Sequence, residues 1–352
     1  MHDAACNSAR ILCIQSTMGD ASDSERASLE SFTPLLEPAE LAPELAWEDR
    51  EARWRRKSFA IAVLLLLLTI ISTLAVGAQF AASYEAGRPP DINDLFSSYG
   101  SLFAHPQLLL AGVPYAFTLL GILLAHELGH YFACRYYGIS ASYPYFIPAP
   151  TLIGTLGAFI RIRSPIYNRK ALFDVGLAGP VTGFLFAIPA LAIAIAYSRV
   201  TPLSGAHAAV IFGDPLGLRA LLAWLRPGVP SGDLLLHPVG RAAWVGLFTT
   251  ALNLLPAGQL DGGHILYAVA SRYHRRVTLG VALLLIPLGY RYWPGWYLWA
   301  GLLLALGFRH PPLLNPWEPI GRTRVLWVAA AVLIFLLCFM PLPVIIRSDL
   351  GG

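Results

Sequence analysis

The sequence contains few charged residues and few cysteines. Only 13% of its 352 residues are Asp, Glu, Lys or Arg, about half the share in an ordinary soluble domain, and 56% are hydrophobic. The four cysteines are far apart and form no CxxC pair, which argues against a disulfide framework and a cysteine zinc site. The net charge of +4 is small, so nucleic-acid binding is not expected. These features indicate an integral membrane protein.

Long apolar runs predict an all-α multi-pass membrane protein. Residues 1–57 are polar and show no clear period, so we expect a disordered or loosely ordered cytosolic tail before a polytopic membrane domain at residues 58–346. Basic residues at 50–57 favour a cytoplasmic N-terminus. Residues 277–308 form either one broken span or a hairpin. The other predicted spans are about 58–80, 107–137, 172–197, 241–270 and 325–346.

Two connecting segments are distinctive. Residues 138–169 contain prolines and glycines that break helices, followed by an apolar–polar alternation from Ala158 to Arg163 that predicts a short strand on the cytoplasmic side. Residues 198–239 are rich in Gly and Pro and predict an external loop. At roughly 40 residues, this loop is too short for an inserted domain of ordinary size.

The second predicted span contains the motif HExxH. His126 and His130 are four residues apart, so on a helix they lie on one face, close enough to bind one metal ion. Glu127 is placed to act as general base and then to pass the proton to the leaving amine. A pair of histidines at a helix end that make ordinary hydrogen bonds is the alternative. The apolar setting argues against it, because ionisable residues inside a membrane are costly unless they are functional.

A catalytic zinc requires a third protein ligand. Cys134 shares the helix face with His126, but about 12 Å of helix rise separates them, which is too far for one ion. Asp261 follows a helix break in the fourth span and is the candidate, although it could instead be an N-cap of the resumed helix. His264 is either a partner that orients Asp261 or an interfacial histidine without a catalytic role.

With both motifs identified, the sequence resembles the site-2 protease family of intramembrane zinc metalloproteases. The resemblance covers about residues 105–275 and rests on HELGH at 126–130 and NLLPAGQLDGG at 253–263. The segment Ala178–Val181 is similar to the small-residue helix motif of the family. No segment is long enough for the PDZ domain that some members insert.

The resemblance implies a three-helix metalloprotease core with a short β segment and flanking helices. It implies Zn²⁺ held by His126, His130 and Asp261, with Glu127 as catalytic base and Asn253 positioning the substrate or the oxyanion. The expected activity is cleavage of transmembrane protein substrates near the cytoplasmic side in regulated intramembrane proteolysis. We expect the lipid bilayer as partner and a bacterial cell membrane as location.

Two other functions compete with this hypothesis. An ion or metal transporter would use the same residues as a transport site, but its ionisable residues would follow a path through the membrane, whereas these cluster at one depth. A non-proteolytic binding or chaperone protein could keep the fold. The intact Glu127 argues against that reading.

Overall fold

A computed structural model describes residues 38–91, 106–201, 210–306, 313–315 and 317–346. The chain divides into two compact units, residues 1–57 and 58–352. Residues 38–57, predicted as part of a loosely ordered tail, are helical. Strong helix formers such as Ala, Glu, Leu and Arg dominate this stretch, which explains the difference. The remainder of the predicted tail, 1–37, lies outside the described residues.

The described part of the chain is mostly helical, which confirms the predicted fold class. Among the described residues, three helical stretches are long and apolar enough to cross a membrane, at Arg56–Glu85, Gln107–Tyr136 and Arg169–Tyr197. The nine helices described are α1 (Pro38–Glu85), α2 (Val113–Tyr136), α3 (Arg169–Tyr197), α4 (Leu216–Leu225), α5 (Pro238–Asn253), α6 (Asp261–Ala270), α7 (His274–Arg291), α8 (Gly295–Leu306) and α9 (Arg322–Cys338). Short 3₁₀ turns lie at Pro106–Gly112, Ser231–Asp233 and Ser271–Tyr273.

The fourth predicted span is a broken helix, as expected. Helix α5 ends at Asn253 and α6 begins at Asp261, with a non-helical stretch of residues 254–260 between them. Pro256 cannot continue the helical hydrogen bonding, and Gly258 adopts a φ of 60°, in the left-handed region that favours glycine.

The predicted strand is present but shifted towards the N-terminus. Strands β1 (Tyr145–Pro148) and β2 (Thr155–Phe159) form an antiparallel hairpin in which Tyr145 pairs with Phe159. The prediction of 158–163 was wrong in its limits: the regular strand starts beside the turn at Gly154 (φ 86°), and beyond Phe159 the pairing continues only as a bridge between Ala141 and Ile162.

The last span is shorter than predicted. Helix α9 ends at Cys338, and Pro341 and Pro343 then exclude further helix. Strand β6 (Val344–Ile346) pairs with β4 (Val210–Phe212). The predicted external loop therefore contains secondary structure: β4, α4 and the two-residue strands β3 (Arg199–Val200) and β5 (Leu234–Leu235), which pair with each other.

Residues 277–306, the described part of the ambiguous region 277–308, form a hairpin of two helices rather than one broken span. Only three residues separate α7 from α8, and the backbone of Gly289 on α7 packs against the Tyr297 ring on α8. The indole of Trp296 donates a hydrogen bond to the carbonyl of Pro341, close to β6. The α7–α8 connection thus lies at the same end of the helices as β4 and β6.

The helices have a basic end opposite the end that holds β4 and β6. Helix α2 ends here at Tyr136, and the hydroxyl of the next residue, Tyr137, donates a hydrogen bond to Asp174 near the start of α3. Arg324 at the start of α9 also binds Asp174, with nitrogen–oxygen distances of 2.8 and 2.6 Å. Nearby, Lys170 pairs with Glu318 at 2.6 Å. We call this end, with the β1–β2 hairpin beside it, the basic end.

Candidate metal centre and active site

The two motif histidines lie side by side on α2, about two turns from its basic end. Both imidazoles are buried, at 4% and 7% exposure, and their Nε2 atoms are 3.1 Å apart. Helical spacing of four residues is sufficient to bring the two rings to one face. The pair therefore presents two nitrogen donors towards the same point.

Asp261 completes a group of three donors. It is the first residue of α6, immediately after the helix break. Its Oδ2 lies 3.2 Å from His126 Nε2 and 3.3 Å from His130 Nε2. The break between α5 and α6 is what brings a carboxylate to the level of the two imidazoles.

The three donors fit a tetrahedral zinc ion. Zn²⁺ binds nitrogen and oxygen donors at about 2.0–2.2 Å, so neighbouring donors of a tetrahedron lie about 3.3 Å apart. The three observed distances of 3.1, 3.2 and 3.3 Å match this spacing. Two histidines and one carboxylate are a donor set of catalytic zinc sites, which keep a fourth position for water.

Helix α3 fixes the orientation of His130. The carbonyl of Val175 lies 2.7 Å from His130 Nδ1 and accepts its proton, which leaves the Nε2 lone pair directed towards the metal position. Gly179 lies directly against the same ring, since a Cβ there would be 2.1 Å from His130 Nε2. The small-residue segment Ala178–Val181 thus allows α3 to approach α2 at this site.

Glu127 lies in the same buried region as the metal donors. Glu127 is 5% exposed, and its carboxylate lies close to the backbone amide of Ile160. Ile160 directly follows β2, so the end of the hairpin abuts the predicted base. A buried carboxylate beside a metal position can exchange a proton with water or an amine there.

Asn253 also reaches the site, whereas Cys134 and His264 do not join the donor group. Asn253 is the last residue of α5, and its Nδ2 lies 3.1 Å from His126 Nε2.

Cys134 is fully buried in an apolar cluster with Ile139, as its distance from His126 predicted. The half-buried His264 packs beside Gly176 on α3. That His264 orients Asp261 stays a prediction.

Sequence reasoning missed the backbone groups of the site. The carbonyl of Val175 and the amide of Ile160 contact His130 and Glu127, but neither residue has a side chain that suggests a function. The glycine of the small-residue motif was noted, although its contact with His130 was not.

The chain shares sequence similarity with zinc metalloproteases. Residues 114–286 match Peptidase family M50. The chain is 30% identical over 359 residues to the probable zinc metalloprotease EGY1, chloroplastic, of Arabidopsis thaliana, an alignment that covers 96% of this chain and 62% of the relative. It is 32% identical over 311 residues to the rice (Oryza sativa subsp. japonica) protein of the same description, with 83% and 52% covered.

The chain contains a domain of Peptidase family M50, the site-2 protease family. The matched residues contain both histidines, Glu127, Asn253 and Asp261, so the site described above lies inside the M50 domain. The names of the zinc metalloprotease relatives and the donor set of this chain both identify zinc as the cofactor.

The relatives also allow a comparison of chain length and of the membrane in which the protein is expected. This chain spans about half to three fifths of the length of the two EGY1 proteins. Those proteins are described as chloroplastic, so the expectation of a bacterial cell membrane gains no support. The prediction of an integral membrane protein agrees with the long apolar helices.

Proposed function

We propose that this protein is a zinc-dependent intramembrane endopeptidase that hydrolyses peptide bonds of membrane-spanning substrates. The observation that carries the proposal is the spacing of the donor atoms of His126, His130 and Asp261, which matches three corners of one tetrahedron, with the buried carboxylate of Glu127 beside them. Zinc held there would polarise the scissile carbonyl and lower the pKa of a water molecule. The remaining steps belong to side chains of this chain.

Glu127 serves as the proton carrier. It takes a proton from the attacking water and delivers it to the leaving amine, so one carboxylate acts first as base and then as acid. The backbone amide of Ile160, which lies close to this carboxylate, stabilises its charged form. Burial keeps bulk water from competing for the proton.

Asn253 stabilises the oxyanion. Its amide lies 3.1 Å from one of the metal-binding nitrogens, so it is within reach of an oxygen on a substrate carbon attacked at that position. A pre-positioned amide donor aimed at developing charge is the usual means of oxyanion stabilisation.

The β1–β2 hairpin holds the substrate. A transmembrane helix hides its carbonyls in its own hydrogen bonds, so the substrate must unwind locally before cleavage. Strand β2 pairs with β1 in a two-stranded sheet, so among the described strands its other edge is open to strand addition. Because β2 leads directly to Ile160, a substrate strand added there would pass close to Glu127.

The site faces the cytoplasmic side or its equivalent in an organelle. The histidine pair lies in the half of α2 nearer the basic end, and Asp261 lies in the corresponding half of the broken span formed by α5 and α6. Lys and Arg favour the side from which a membrane protein is inserted. We also propose that the enzyme acts in regulated intramembrane proteolysis, on protein substrates that enter from the bilayer.

The test uses detergent-purified protein and a model transmembrane peptide. The wild type should contain about one zinc ion per chain and cleave the peptide. The Glu127→Gln variant should keep zinc and lose cleavage by at least about a thousandfold, because proton transfer is lost while the ligands remain. The Asp261→Ala variant should lose both zinc binding and cleavage.

Glu85→Gln provides the matched control, because Glu85 is exposed at the end of α1 and the substitution is chemically identical. If Glu127→Gln cleaves as fast as Glu85→Gln while zinc is bound, proteolysis by this site is excluded. Zinc flux in vesicles would then test the transport hypothesis.

A further inference from the structure

The break between α5 and α6 leaves backbone groups outside the helical hydrogen-bonding pattern. Residues 254–260 are not helical, and Gly258 at their centre has a φ of 60°. A backbone amide or carbonyl at membrane depth requires a partner, because hydrocarbon offers none. The stability of the break therefore depends on what binds Gly258.

Both polar groups of Gly258 are bound by the next long helix. The amide of Gly258 donates to Thr278 Oγ1 at 3.1 Å, and its carbonyl accepts from His274 Nε2 at 2.9 Å. His274 and Thr278 are four residues apart on α7 and so share one face. They are only 3% and 0% exposed. Two buried side chains thus replace the helical partners that this residue lacks.

The same turn packs tightly on the first turn of α6, where Asp261 lies. A Cβ on Gly263 would come within 2.4 Å of the Gly258 carbonyl oxygen, and one on Gly262 within 2.2 Å of the Leu254 carbonyl oxygen. Contacts this close leave little freedom for the turn to move relative to Asp261. The position of Gly258 therefore determines where the Asp261 carboxylate stands.

We propose that His274 and Thr278 are positioning residues of the metal centre. They hold the Gly258 turn, and through it they hold Asp261 Oδ2 at 3.2–3.3 Å from the two imidazoles. The contacts described for both side chains are to the backbone of Gly258 and not to a metal donor. The inference rests on the proposed zinc site, but it does not depend on proteolysis.

The test measures zinc affinity of the detergent-purified full chain by competition with a chelator. Thr278→Val keeps the shape of the side chain and removes the hydroxyl, and His274→Leu removes the donor. Each should weaken zinc binding about tenfold or more, the lower range for groups that orient metal ligands. Thr278→Ser, which restores the acceptor, should remain within about twofold of wild type.

Thr73→Val is the matched control, because Thr73 is equally buried and bonds only within its own helix α1. Hydrogen exchange of the metal-free protein provides a second measurement: residues 254–260 should exchange faster in Thr278→Val than in Thr73→Val. The variants should lower kcat on the model peptide more than they raise KM, because they displace a metal ligand and not a substrate contact.

Zinc affinity and exchange in Thr278→Val equal to those of Thr73→Val would overturn the proposal. If Thr278→Val does not fold, His274→Leu decides the question in the same way, and unchanged zinc affinity in that variant overturns it. A wild type that binds no zinc refutes the proposed function instead, and the exchange measurement still tests whether the two side chains hold the turn.

Discussion

At the scale of single residues, the site depends on side chains that sequence motifs reveal and on small residues whose contacts they do not. The pairing of His126 with His130 follows from helical spacing alone, since the donors belong to one helix. The approach of Asp261 was predicted from a proline and glycines that break a helix around one acid. The contact of Gly179 with His130 required the structure, because a sequence does not show which helix faces which.

Gly179→Ala should displace His130. The added Cβ would lie 2.1 Å from Nε2, and the ring cannot move freely because Val175 holds its Nδ1. We expect zinc content to fall by at least about tenfold. The measurement is metal analysis of the purified variant, together with its melting temperature.

Gly121→Ala is the control for this substitution. Gly121 lies on α2 with open space around its Cα, so alanine should stabilise the helix by about 0.5–1 kcal/mol and leave zinc unchanged. Equal zinc content in the Gly179 and Gly121 variants would show that α3 does not set the position of His130.

At the scale of elements, local patterns were sufficient for helices and insufficient for strand pairing. Apolar runs and the Pro256–Gly258 break gave the membrane helices α2 and α3 and the α5–α6 pair to within a few residues. The pairing of β4 with β6 joins segments more than 100 residues apart, and no local sequence pattern predicts it. For the same reason the predicted last span extended past Cys338 into β6.

Asp174 joins the ends of three helices. Arg324 binds both of its carboxylate oxygens, and Tyr137 donates to Oδ2. Burial, with Asp174 beside it, raises the pKa of Tyr137 to about 12, so the phenol stays a neutral donor at physiological pH. The Asp174 and Arg324 side chains are partly buried, at 30% and 26% exposure, and bidentate pairs of this kind are among the stronger ones.

Asp174→Asn should therefore destabilise the protein by about 1–2 kcal/mol. A double-mutant cycle with Arg324→Gln should show that about 1 kcal/mol of this is shared between the two residues. Thermal unfolding in detergent measures the effect. Arg322→Gln, at an exposed position in the same turn of α9, should change the melting temperature little. Additive effects of the Asp174 and Arg324 variants would mean that the ion pair does not hold α9.

At the scale of the whole membrane unit, the chain has two chemically different ends. The basic end contains the β1–β2 hairpin and the starts of α3 and α9. The metal site lies nearer to this end than to the opposite one. The opposite end contains β4, β6 and the α7–α8 connection. The charge pattern of the sequence predicted on which side of the membrane the basic end lies. It did not decide on which side the last span, α9, ends, because residues 277–308 allowed either one crossing or two.

The hairpin of α7 and α8 decides this question and yields a prediction of topology. Arg161, beside β2, and Pro341, before β6, are both exposed and lie at opposite ends of the unit. Cysteines introduced at these two positions should react with a membrane-impermeant maleimide from opposite sides of sealed vesicles. Cys134 and Cys338 are buried and should stay unreactive, and Cys6 and Cys13 are replaced by serine for the experiment.

The side of each label also tests where the catalytic chemistry takes place. Position 161 should label from the cytoplasmic or organelle-interior side, since Lys and Arg cluster at that end. Because Ile160 contacts Glu127, that result would place the base within reach of the same aqueous compartment, which supplies the water for hydrolysis. Labelling of both positions from one side would refute the two-crossing hairpin, and a reversed pattern would move cleavage to the opposite face of the membrane.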